Sequence, residues 1–113
     1  MKTIRRVLSC LLVALAPSVA RSDSCSDLQA AIAKATALKH AMQREATPLL
    51  SSTQIPAHDQ GVCTAAQNLR DHIVKLASLI DPKCLSEEQR KSLTASLDAN
   101  MKEASSNIGL FCP

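Results

Sequence analysis

The chain has 113 residues, with 13 Lys and Arg against 10 Asp and Glu, one aromatic residue and five cysteines. Its positive excess sits in the first 20 residues, where Lys2, Arg5 and Arg6 precede an apolar run over 7–16 and the small residues Ser18, Val19 and Ala20, the layout of a secretory signal cut after Ala20. Without that segment the remaining 93 residues carry ten charges of each sign, which removes the clustered positive excess that a nucleic-acid partner requires.

The apolar run is shorter than the roughly 20 residues needed to span a bilayer, and no second run follows, so no membrane anchor is expected. Cys10 leaves with the signal. Cys25, Cys63, Cys84 and Cys112 remain, an even number in a short chain bound for an oxidising compartment, and they read as two disulfides. The expected organisation is a signal peptide over 1–20 and a single helical domain over 21–113. Its compartment is the extracellular space, or the periplasm in a Gram-negative source. With Phe111 as the one aromatic residue, the core must come from Leu, Ile, Val, Met and Ala. Such a core buries less area per residue than an aromatic one, which gives covalent bracing more weight.

From Cys25 onward, Leu28, Ile32, Ala35, Leu38, Met42 and Ala46 recur at steps of three and four, which predicts an amphipathic helix. Ser26 with Gln29 fits a capping box at its start, and Thr47-Pro48 predicts that it ends or kinks near Ala46. Residues 49–56 read as a loop, with Leu49, Leu50 and Ile55 available to fold back onto the bundle. Val62, Ala66, Leu69, Ile73, Leu76 and Ile80 mark a second helix, with Asp71 and Lys75 one turn apart on its polar side. It carries Cys63 and Cys84 at its two ends, and Asp81-Pro82 terminates it. Ser86, Glu87, Glu88 and Gln89 form a second capping-box pattern, so a third helix begins at Glu87. Leu93, Leu97, Met101, Ala104 and Ile108 form its stripe, with Asp98 and Lys102 one turn apart outside. Gly109 is placed for a left-handed cap, with Leu110 packing back.

The predicted fold is therefore all-α, a small disulfide-braced bundle of three main helices with room for an extra short one. Short connections make the helices alternate up and down. Alternation puts Cys25 and Cys84 at one end and Cys63 and Cys112 at the other, which predicts the pairs Cys25–Cys84 and Cys63–Cys112.

The chemistry-bearing residues are sparse. His40, His58 and His72 occur singly, without a two-histidine helical pair or a C-x-x-C, so no metal site is expected. No serine sits in a G-x-S-x-G elbow, and adjacent Glu87 and Glu88 suit the positive end of a helix better than paired acid-base work. Closely spaced redox cysteines are missing. No enzyme and no cofactor are expected. The Ala-rich faces, with Ala31, Ala35, Ala65, Ala66 and Ala77, fit a close-packed core. The same faces, with Leu38, Met42, Leu69, Ile73, Leu97 and Met101, are also of a kind that lines a cavity for an apolar ligand.

The stretch Ile73-Val74-Lys75-Leu76-Ala77-Ser78-Leu79-Ile80-Asp81-Pro82-Lys83-Cys84, a helix running into a proline and then a cysteine, resembles the elicitins and elicitin-like proteins secreted by oomycetes. The spacings from Cys63 to Cys84 and on to Cys112 are similar as well. The resemblance implies an all-helical disulfide domain that carries a sterol or other lipid, and it implies the same cysteine pairing. This chain departs from the family in lacking one cysteine pair, with Gln67-Asn68-Leu69 where a further cysteine would fall, and in having no tyrosine. The expected function is a secreted, non-enzymatic helical domain that binds an apolar ligand such as a sterol or lipid, or acts as an extracellular effector. The alternative is a bacterial periplasmic protein-interaction module of the stress or immunity type, working through an exposed helix face.

Overall fold

The computed structural model describes residues 23–113; the expected signal segment and its boundary lie outside them. Three α-helices follow in order, α1 (Asp23–Leu50), α2 (Gln60–Ala77) and α3 (Glu87–Phe111), and there is no strand among the described residues. The fold is the all-α bundle that the periodicity predicts. No additional short helix lies among the described residues, where 51–59 and 78–86 are turns, bends and irregular chain.

Each boundary has a local cause. α1 is already helical at Asp23, so the amides following Ser26 take their partners from the helix itself and the Ser26–Gln29 box is not its start. At the other end α1 runs through Pro48 to Leu50. A proline in the last turn removes a single intrahelical bond, to the carbonyl of exposed Arg44, and the carbonyls beyond it are recaptured. Ser51 donates to the Thr47 carbonyl from both its amide, at 3.1 Å, and its hydroxyl, at 2.9 Å. Of the three aliphatic residues free to fold back, Leu49 does so, while Leu50 and Ile55 remain exposed.

Asp59 caps α2, its Oδ1 accepting from the Val62 amide at 2.9 Å. The Glu45 carboxylate of α1 reaches the same first turn, where a Cβ added at Gly61 would lie 2.9 Å from Glu45 Oε2. Two carboxylates therefore face the positive end of the α2 dipole. The helix starts three residues before Cys63 and stops at Ala77, seven before Cys84, rather than running from one cysteine to the other. Ser78 ends it by donating its hydroxyl to the Lys75 carbonyl at 2.6 Å. Tight turns then carry the chain to Asp81, whose side chain accepts from the Lys83 amide at 2.8 Å and whose carbonyl accepts from Cys84 at 2.9 Å.

α3 begins at the predicted capping box. The Gln89 amide donates to Ser86 Oγ at 3.1 Å and the Ser86 amide donates to Gln89 Oε1 at 2.8 Å. Its end differs from expectation: Gly109 stays helical without a positive φ, the helix continues to Phe111, and Leu110 is exposed. Continuing by two residues seats Phe111, fully buried, against Ala46 and Val62 with Leu49 beside them. That burial holds the last turn in the helix.

α2 is the central element. It packs along both neighbours, whereas α1 and α3 meet each other sparingly. Besides the packing of Phe111 on Ala46, a side-chain hydrogen bond joins them: Gln43 Nε2 of α1 donates to both carboxylate oxygens of Glu103 at 3.2 Å. The main core joins Leu28, Ala31, Ala35 and Met42 of α1 to Ala66, Leu69, Ile73 and Leu76 of α2 and to Leu97 and Ala104 of α3. The disulfides are Cys25–Cys84, with Cα atoms 5.4 Å apart, and Cys63–Cys112, at 4.9 Å. They close opposite ends, and the second end is also tied by the Asp59 amide donating to the Phe111 carbonyl at 3.0 Å.

Two measurements check this architecture. Gly109→Ala is expected to raise stability by about 0.5–1 kcal/mol in denaturant unfolding, since the backbone is helical and an added Cβ meets nothing within 4 Å. A left-handed cap would give a loss instead. Replacing both cysteines of either pair by serine is expected to cost about 4 kcal/mol by chain entropy. With sequence separations of 59 and 49 residues, the two losses should agree within about 0.3 kcal/mol on that basis.

Candidate functional site

The histidines lie apart. His72 is half-buried and its Nε2 donates to the Ala31 carbonyl of α1 at 2.8 Å, a tie between helices; His40 is half-buried on α1 and His58 is exposed before α2. Among the described residues no group of three or more His, Cys, Asp or Glu side chains is placed to hold a metal ion, and no helix is long and apolar enough to cross a membrane. The charged faces are laid out differently from the sequence expectation. Asp71 pairs with Arg70 at 3.5 Å rather than with Lys75. Glu87 pairs with Lys91 at 3.5 Å, and the Asp98–Lys102 pair is not formed. All these ion pairs are exposed, where such contacts contribute about 0–1 kcal/mol.

Two open grooves lined mainly by polar residues are larger, about 500 Å³ beside His40, Gln43 and Arg44 and about 340 Å³ beside Arg90, Lys91 and Asp98. A cleft with mainly apolar walls, of about 290 Å³, lies between the second half of α2 and the middle of α3. α2 and the turn after it supply Ile73, Val74, Ala77 and Ile80, and α3 supplies Thr94, Leu97, Asp98 and Met101. Its floor is the edge of the main core, since Ile73 and Leu97 are buried there. Its rim on α2 is Val74, which at 61% is more exposed than Leu50, Ile55 or Leu110. The small side chain of Ala77 leaves the wall low and so keeps the cleft open.

The six apolar residues singled out from the helical stripes divide between two places. Ile73, Leu97 and Met101 line the cleft. Leu38, Met42 and Leu69 pack in the core and are not among its walls, Met42 and Leu69 being fully buried. Val74, Thr94 and Asp98 were missed because they lie off the apolar stripes, on flanks that periodicity assigns to solvent. One signal for Val74 was present: a β-branched aliphatic residue among the polar positions of a helix, beside Lys75 and one turn from Arg70 and Asp71.

Two polar groups belong to the cleft, the Thr94 hydroxyl and the Asp98 carboxylate. Asp98 is exposed and in no ion pair. With apolar walls on both sides and one carboxylate at the edge, the arrangement is suited to binding. The chain matches no family model, no curated protein and no solved structure.

The division between core and cleft is measurable. Leu69→Ala is expected to lose about 2–5 kcal/mol in denaturant unfolding. Val74→Ser, at an exposed position, is expected to change stability by no more than about 0.5–1 kcal/mol.

Proposed function

We propose that the mature chain is a secreted, non-enzymatic helical domain that binds an apolar ligand in the cleft between α2 and α3, as a carrier or an extracellular effector. The observation that carries this reading is the cleft itself, an apolar concavity continuous with the core and rimmed by the strongly exposed Val74. Two disulfides and the absence of a membrane-crossing helix among the described residues are compatible with a secreted protein. The framework resemblance to elicitins supports a lipid as the class of ligand. Size narrows that class. At about 290 Å³ the cleft lies just under the roughly 300–1,000 Å³ of pockets that enclose drug-sized molecules, so a slender aliphatic chain suits it better than a fused-ring sterol.

The openness of the cleft favours one competing reading, a protein-interaction module that receives an apolar side chain of a partner on its α2–α3 face. One experiment separates the two. Titration with the neutral fluorescent probe N-phenyl-1-naphthylamine is expected to give saturable fluorescence enhancement with the wild-type mature chain. Ala77→Phe, which fills the cleft from an exposed position, is expected to weaken it by about tenfold or more. Absence of saturable binding, or equal binding by the filled variant, would overturn the small-ligand reading at this cleft.

A further inference from the structure

The proposed reading leaves open what the ligand carries at its polar end, and the cleft's own electrostatics address that. The walls hold a single charged group, the Asp98 carboxylate, beside the Thr94 hydroxyl. None of the neighbouring cations closes on it: Arg70 lies 3.5 Å from Asp71, Lys91 lies 3.5 Å from Glu87, Lys102, one turn beyond Asp98, forms no ion pair with it, and Arg90, which with Lys91 lines the adjoining groove that Thr94 and Asp98 also border, forms none either. A carboxylate at the edge of an apolar surface is partly shielded from water on the protein side, so its field is felt by whatever occupies the cleft more than in bulk solvent. A fatty acid seated there would place a like charge beside it. An alcohol or a sterol hydroxyl would gain one hydrogen bond and no charge pairing.

We infer, resting on the apolar-ligand reading above, that the cleft is built for a single aliphatic chain bearing a protonated amine, the chain lying along Ile73, Ala77, Leu97 and Met101 and the ammonium held at Asp98. The length follows from the volume. About 290 Å³ accommodates roughly ten water-sized groups, comparable to an alkyl chain of eight to ten carbons. The ammonium supplies three donors, enough to reach Asp98 and the Thr94 hydroxyl together.

The test uses the folded mature chain with both disulfides, and N-phenyl-1-naphthylamine as the reporter. Decylamine, decanol and decanoate, equal in chain length, are compared as competitors at neutral pH and below their aggregation concentrations, for wild type and for Asp98→Asn. The expected result is that decylamine displaces the probe at about fivefold lower concentration than decanol, with decanoate the weakest. In Asp98→Asn the amine-to-alcohol ratio is expected to fall to about one, and in wild type added salt is expected to shrink it. Equal potency of amine and alcohol in wild type, or an amine preference that survives Asp98→Asn, would overturn the inference while leaving the cleft as an apolar site. Failure of the probe to bind at all would overturn the apolar-ligand reading and this inference with it.

Discussion

Most of the structure depends on α2 having to satisfy two neighbours at once. It is the shortest of the three helices, yet it carries the central part of the core, and the outer helices lean on it more than on each other. A helix of 18 residues presents a limited apolar surface, and here that surface is divided between α1, reached through His72 and the Ala31 carbonyl, and α3, reached through Ile73 and Leu97. Non-covalent burial in a chain with one aromatic side chain leaves little surplus against conformational entropy. The disulfides act at the two ends of the bundle. Each fixes one outer helix to an end of the central segment, so the alignment of three helices does not rest on side-chain packing alone.

Small side chains set how closely the helices approach. Ala31, Ala35, Ala66 and Ala104 are all buried, and at such positions backbones come together without large side chains to separate them. This produces a bundle with a continuous core. At the edge of the α2–α3 packing, where the small Ala77 lies among Val74 and Ile80 of α2 and its following turn and Met101 of α3, a cleft remains. The packing that gives the bundle its section thus also determines where it is open.

The helical class, the three stripes, the cysteine positions and the start of α3 were legible because each rests on local chemistry: step lengths of three and four, or a serine and a glutamine three apart. The boundaries read differently were those decided by tertiary structure. Pro48 reads as a stop, but Ser51 recaptures the Thr47 carbonyl and Leu49 gains burial beside Phe111, so one more turn is retained. Gly109 reads as a cap, but burial of Phe111 two residues on keeps the backbone helical. The cleft was half legible. Ile73, Leu97 and Met101 follow from periodicity, whereas Val74, Thr94 and Asp98 enter because of how α3 is rotated against α2, which no one-dimensional pattern records.

The order of the cysteines has a consequence for how the chain responds to proteolysis. The bonds Cys25–Cys84 and Cys63–Cys112 interleave along the chain, so the two covalent loops overlap between Cys63 and Cys84. Cut the backbone once anywhere between Cys25 and Cys112, and one bond or both still join the two fragments. The longest run of exposed residues among those described, 51–58 between α1 and α2, falls inside that span. A protease that nicks it changes the number of chain ends without releasing a piece. Both fragments stay at each other's high local concentration.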